Sequence, residues 1–271
     1  MKSVIVTGAS SGIGRTASIM LAKSGHRVFG LARSYDKLKS LAAELAAENY
    51  VPVEFDVTRP DTFGAVVGEI TARGDIFGLV NNAGYVEPGA IEDIGMPDLR
   101  AQFETNFFGL VGLTKQVLPI MMQKGQGRIV NVSSMAGLIA LPLIGAYCAA
   151  KHALEAVSDA LRMELWNTGI KVVTINPGVI ETNIHTVTKS KTALLKNSRF
   201  ASAYRKYLDH VPRGLPAGAV AGAIVEAISS SNPKPRYVIG SSREKTGVRL
   251  RPYIPDRLFY AQVAKRINMD Y

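Results

Sequence analysis

Apolar and polar positions divide the chain into short β-branched runs separated by longer stretches of helical period. The runs at 4–7, 27–31, 51–55, 77–80, 128–132, 171–175 and 237–239 read as strands. Between them, segments of helical length fall at 13–23, 36–48, 61–72, 97–122, 147–166 and 217–230. Apolar strands alternating with helices of ten or more residues predict repeated βαβ units, and so a parallel sheet covered on both faces. The expected fold is therefore α/β and doubly wound. No shift in composition and no linker divides the chain, so residues 1–271 form one expected domain. In such folds ligands bind beyond the carboxyl ends of the strands, which makes every loop after a strand a candidate for chemistry.

Composition narrows the picture little. With 47% hydrophobic residues, 20% charged residues and 25 glycines in 271, the chain is an ordinary globular one rather than a disordered one. MKSVIVTGAS runs directly into a strand, with no apolar signal region before it. The uncharged run 129–150 is broken by Asn131, Ser133, Ser134, Gly137, Pro142 and Gly145, so no membrane-spanning segment is expected. A lone cysteine, Cys148, suits a reducing compartment, and a cytoplasmic location is expected. Four histidines and that cysteine show no metal-ligand spacing, so no metal is expected. The net charge of +10 is scattered from Arg15 to Arg266 and forms no nucleic-acid motif. It favours solubility and a general attraction for anionic ligands.

The loop after the first strand reads TGASSGIG, with Gly8, Gly12 and Gly14 opening a helix. Glycines here allow a tight turn, close backbone approach to a pyrophosphate and close helix packing, while the helix start offers free amides to the anion. The spacing departs from G-x-G-x-x-G, so position rather than pattern carries the reading. At the end of the second strand Ala32 stands where an NAD-binding carboxylate would be, followed by Arg33 and Ser34. An arginine there suits the 2′-phosphate of NADP(H). Asp36 opens the next helix and reads as a first-turn acid. Arg15 fits either the phosphate site or open solvent.

Further along, AYCAAK places Tyr147 and Lys151 four positions apart, one turn above the other on a helix. TGASSGIG, DVT at 56–58, NNAG at 81–84, Asn106 in ETNFFG, Ser134 in VNVSS, YCAAK and NPGVIET at 176–182 together resemble the short-chain dehydrogenase/reductase family, in order, over about 2–183. The resemblance implies a Rossmann-type sheet of seven strands, a nicotinamide cofactor, and hydride transfer between carbonyl and alcohol by Asn106, Ser134, Tyr147 and Lys151. Ser134 is chosen over Ser133 because family members place the serine thirteen residues before the tyrosine. By the same resemblance Gly8, Ser10, Ser11, Gly12, Ile13, Gly14, Arg33, Ser34, Asp56, Val57, Asn82, Ala83, Gly84, Tyr147, Lys151, Pro177, Gly178, Val179, Ile180 and Thr182 contact the cofactor. Asn81 and Asn82 either line its channel or tie strands together.

Hydride arriving at a carbonyl carbon builds charge on the oxygen, so an acid must stand beside it, and Tyr147 is the candidate. In the reverse direction the phenol must act as base. Lowering its pKa to about 7 takes roughly 4 kcal/mol, which a cation about 4 Å away supplies at an effective dielectric near 20. Lys151 is expected to be that cation. Asn106 resembles the family's asparagine that holds a water linking Lys151 to solvent, and otherwise satisfies an irregularity in its helix.

The alternation lapses between 183 and 214, where a substrate lid is expected. Phe200, Tyr204, Tyr207, Leu208 and Val211 form one apolar stripe at helical spacing, among seven Lys or Arg and one Asp. That charge admits an anionic substrate or a membrane-surface approach. SNPKPRYVIG and YIPDRLFYAQVAKRI, the latter in a C-terminal extension at 241–271, resemble the tails of steroid- and retinoid-type members, and the apolar loop LIALPLI at 138–144 faces the pocket in this family, so a bulky hydrophobic ketone, aldehyde or alcohol is expected as the small-molecule substrate. A 3-oxoacyl thioester, a small carbonyl, or a catalytically idle regulator are the alternatives. Family members pair through helices such as 97–122 and 147–166, so a homodimer or homotetramer is expected.

Overall fold

The structure is a computed structural model, and it describes residues 1–181, 197–209 and 214–266. β1 (Ser3–Thr7) leads to α1 (Gly12–Lys23), β2 (Arg27–Ala32) to α2 (Tyr35–Glu44), and β3 (Tyr50–Glu54) to α3 (Phe63–Arg73). β4 (Ile76–Asn81) leads to α4 (Met96–Phe103), a π turn (Glu104–Phe108) and α5 (Gly109–Lys124). Then come β5 (Gln126–Val132), α6 (Gly145–Glu164), β6 (Gly169–Pro177) and β7 (Ile180–Glu181). The chain ends in α7 (Ala201–Asp209), β8 (Leu215–Pro216), α8 (Ala217–Ser229), β9 (Arg236–Ile239), α9 (Ser242–Leu250) and α10 (Asp256–Arg266).

Seven strands form one parallel sheet in the order β3-β2-β1-β4-β5-β6-β9, and β7 and β8 pair separately. β1 and β4 are buried along their whole length, which is why they read as unbroken apolar runs. Against one face pack α1, α2 and α8 through Leu21, Leu38, Ile224 and Ile228. Against the other pack α3, α5 and α6 through Phe63, Leu113, Val117 and Leu154. Each such side chain contributes roughly 1.5–3 kcal/mol on leaving water.

Two expected helices differ. The segment 36–48 stops at Glu44, where Leu45 turns extended (φ −121°, ψ 158°) and a short turn delivers Tyr50 to the sheet. The segment 97–122 is interrupted by the π turn, whose extra residue re-aims the side chains on either side of it. The order of strands reverses between β1 and β4. That switch point is where a doubly wound sheet opens a crevice.

Candidate active site

The carboxyl ends of β1 to β6 open into one cavity of roughly 1800 Å³, larger than the 300–1,000 Å³ of an ordinary small-ligand pocket. From the first loop come Gly8, Ser10, Ser11, Gly12 and Ile13. Gly8 has φ +68°, a left-handed conformation that favours glycine. Gly14 does not line the cavity. It packs behind it, where a Cβ would lie 2.3 Å from the Gly8 carbonyl oxygen. The N-cap of α1, Ser11, makes no side-chain cap and no acid occupies the first turn, so the helix start is free to receive an anion.

Arg33, Ser34 and Lys37 line the cavity after β2. Arg33 has no ion-pair partner among the described residues. Arg15 instead binds Glu44, at 2.6 Å, and is not on the wall. After β3 come Asp56 and Val57, with Asp56 Oδ1 accepting from the Thr58 backbone and hydroxyl.

Asn82, Ala83 and Gly84 follow β4 on the same wall. Thr7 Oγ1 accepts from both Asn82 N and Ala83 N at 2.9 Å, locking the ends of β1 and β4 together. Asn82 Nδ2 donates to the Thr7 carbonyl, so this residue both lines the cavity and ties the strands. Asn81 is structural: its buried amide donates to Asn131 Oδ1 at 2.8 Å and Thr114 Oγ1 at 2.9 Å.

Asn106 lies in the π turn, fully buried and off the cavity wall. Its Oδ1 accepts from Tyr85 N and its Nδ2 donates to Tyr85 O. Gln102, one turn earlier, holds Tyr85 O and Glu87 N in the same way. The two amides therefore clamp the strand-like segment 85–87 against α4, and the side chain of Asn106 is spent on that clamp.

Ser134, Tyr147 and Lys151 line the cavity together. Ser134 caps the turn at Met135–Gly137 by accepting from Ala136 N. Ser133 is buried and also borders the cavity. Lys151 is 3% exposed and its Nζ donates to the Val132 carbonyl at 2.9 Å. The Nζ lies 5.9 Å from the centre of the Tyr147 ring. This corrects the expected electrostatics. Burial pushes the Tyr147 phenol up to about 12, with the Ser134 hydroxyl pulling the other way. Burial also brings Lys151 down to about 8, opposed by the nearby Glu155. Desolvation disfavours both charged forms, and the ammonium group is turned to a carbonyl rather than to the phenol.

Glu155, one turn below Lys151, was not visible as a site residue. Asn176 Nδ2 donates to Glu155 Oε1 at 2.6 Å and to the Ser134 carbonyl at 3.1 Å, while Arg236 holds the other carboxylate oxygen. Beyond β6, Pro177, Gly178, Val179 and Ile180 line the cavity. Thr182 lies outside the described residues, as do Val211 and most of the expected lid.

The described part of the lid is pinned down. Tyr204 OH donates to Asp93 and accepts from Ala90 N, and Arg199 pairs with Glu92 at 2.7 Å. Tyr207 reaches the cavity, as do Ile139, Leu141 and Ile144 of the apolar loop. Val248, Ile254, Phe259 and Val263 of the C-terminal extension complete an apolar lining. Glu244 fixes that extension: it caps α9 with Ser241 and accepts from Val179 N at 3.0 Å. A Cβ at Gly178 would lie 2.4 Å from its Oε1.

The model of the short chain dehydrogenase family matches residues 2–193, more than half the chain. The protein is a short-chain dehydrogenase. As a member of this family it is an oxidoreductase that uses a nicotinamide cofactor. It is 34% identical to the NADPH-dependent 3-dehydrocapnine reductase of Ornithobacterium rhinotracheale, over 98% of both chains. It is 30% identical to the 3-ketodihydrosphingosine reductase of Bacteroides thetaiotaomicron, over 95% of this chain and 97% of that one. Among solved structures, an actinorhodin polyketide ketoreductase with NADPH superimposes with a TM-score of 0.77 at 30% identity, covering 88% of this chain and 95% of that one. No helix among the described residues of this short-chain dehydrogenase is long and apolar enough to cross a membrane.

Proposed function

We propose that the protein is an NADP(H)-dependent reductase of bulky, apolar ketones, with Tyr147 as the proton donor. One observation carries the reading: Ser134, Tyr147 and Lys151 share a single cavity with the glycine loop, with Arg33, and with an apolar lining from three separate parts of the chain. The residues present fit a dinucleotide. The free start of α1 and the bare backbone at Gly8 and Gly12 suit a pyrophosphate, Asp56 the adenine end, and Arg33 with Lys37 a 2′-phosphate. When bound, the nicotinamide supplies the hydride to the carbonyl carbon.

The chain's own groups do the rest. The Tyr147 phenol, raised to about 12, is fully protonated at neutral pH and gives its proton to the carbonyl oxygen. Ser134 orients that oxygen by hydrogen bond. Lys151, charged below about pH 8, keeps a positive charge one helical turn from the phenol and would hold the ribose hydroxyls of the cofactor. Asn106 contributes through the Tyr85 clamp made by its side-chain amide. Two relatives matched over nearly their whole length are named for reducing a 3-dehydro or a 3-keto compound, which supports reduction of a 3-oxo group.

The deciding experiment is NADPH oxidation against a panel of ketones, with chain length varied at a fixed 3-oxo group. Rates should rise with apolar length, and a panel without any turnover would remove the reading. Tyr147→Phe should lower kcat by about 10²–10⁴ while leaving NADPH affinity unchanged. NADPH should bind at least about tenfold more tightly than NADH, with Arg33→Asp narrowing or reversing the gap, since a 2′-phosphate needs the cation. Equal affinities in the unaltered protein would exclude NADP(H) preference.

Assembly belongs to the same proposal. Phe108 in the π turn and Met163 and Trp166 at the end of α6 are 53%, 70% and 76% exposed, on elements where a second copy would pack. Sedimentation should find a dimer or tetramer.

A further inference from the structure

The C-terminal extension has two faces. Inward, α9 and α10 bring Val248, Phe259 and Val263 to the cavity. Outward, Leu250, Tyr253, Leu258 and Tyr260 are 48%, 81%, 58% and 59% exposed. The same stretch, 241–266, carries seven Lys or Arg and only two acids, Glu244 and Asp256. Both acids are already used. Glu244 caps α9 and holds Val179, and Asp256 pairs with Arg251. Lys245, Arg249 and Arg257 lie off the cavity wall and have no ion-pair partner among the described residues.

Exposed leucine and tyrosine flanked by unpaired cations is the chemistry of helices that lie in a membrane interface: rings and aliphatic chains enter the headgroup boundary while cations meet lipid phosphates. We propose that the outer face of α9 and α10 docks on the surface of an anionic lipid bilayer, delivering bilayer-dissolved ketones to the cavity that the inner face lines. Charge selects this occupant. A second copy would set one basic face against another on chains of net charge +10 each. A nucleic acid would meet the cations but leave Leu250 and Leu258 in water. The inference rests on the apolar-ketone reading for its purpose only, because docking needs no turnover.

The test is co-sedimentation of the full chain with vesicles of phosphatidylcholine mixed with phosphatidylglycerol, against phosphatidylcholine alone. Binding to the anionic vesicles should be at least about tenfold tighter and should weaken with salt. Arg249→Glu with Arg257→Glu, and separately Leu258→Ser with Tyr260→Ser, should each abolish that advantage. Both double variants should still oxidise NADPH with a short water-soluble ketone at the rate of the unaltered protein. No preference for anionic vesicles, or binding unchanged in both variants, overturns the proposal. So does self-association lost in the variants without any vesicle binding. If vesicles bind as expected and no ketone is turned over, the reductase reading fails and the docking surface stands.

Discussion

Burial displaces the Tyr147 and Lys151 pKa values in opposite directions, and that bears on how the proposed reduction depends on pH. A phenol raised to about 12 keeps its proton across the neutral range, the form that a proton donor in reduction requires. The amine, lowered to about 8, is charged below that value and neutral above it. Accordingly, kcat/KM for ketone reduction should be level near neutrality and fall above about pH 8, while alcohol oxidation should rise as the medium becomes more basic. A rate profile for reduction that climbs through pH 8 would contradict the assignment. Gly14 offers a second measurement. A methyl group there meets the Gly8 carbonyl at 2.3 Å and Asn82 Nδ2 at 2.5 Å, so Gly14→Ala must push α1 off the loop. A loss of about 1–3 kcal/mol of stability is expected by thermal unfolding, with weaker NADPH binding by calorimetry. Tyr147 and Lys151 could be paired on the sequence by their four-residue spacing, and they and Ser134 could be chosen as site residues by resemblance to the family. Thr7, Gln102 and Glu155 could not. Their partners lie 76, 17 and 81 residues away, and nothing in their immediate neighbourhood announces them.

Elements were legible where one physical signal dominated. The seven strands of the sheet were readable to within two residues, the five inner ones because strands buried on both faces must be largely apolar and the half-buried edges β3 and β9 by their β-branched residues. The break in the long helix was not, since the extra residue of a π turn leaves composition unchanged. Its cause is tertiary: Asn106 and Gln102 are drawn to the backbone of 85–87. A similar long-range tie joins the sheet to its helices, in the chain Thr114, Asn81, Asn131 and Ser158. Asn81→Ala would leave Asn131 Oδ1 buried without its donor, at a cost of about 1–3 kcal/mol. Thermal unfolding should show that loss, and an unchanged midpoint would mean the ladder contributes little.

For the molecule as a whole, the doubly wound plan and its crevice followed from alternation alone, whereas the walls of the crevice did not. Apolar residues of the cavity wall arrive from the 138–144 loop, α7 and the two C-terminal helices, which share no sequence pattern. Only the closed structure shows them meeting. The basic segment also reads differently once folded, because Arg199 pairs with Glu92 at the surface and lies off the cavity wall.

Among the described residues, the Glu244 carboxylate ties the start of the tail to the loop after β6. Burial works against the charge of Glu244, but hydrogen bonds from Val179 and Ser241 outweigh it and hold the group below its ordinary value of 4.5. A depressed acid contributes stability that is complete above the ordinary value and vanishes as pH falls through the depressed one. Acidification should therefore unfasten residues 241–266 in a step of its own, leaving the seven-stranded sheet intact. Trypsin would then find the arginines of α9 and α10 before circular dichroism registers any loss of the sheet.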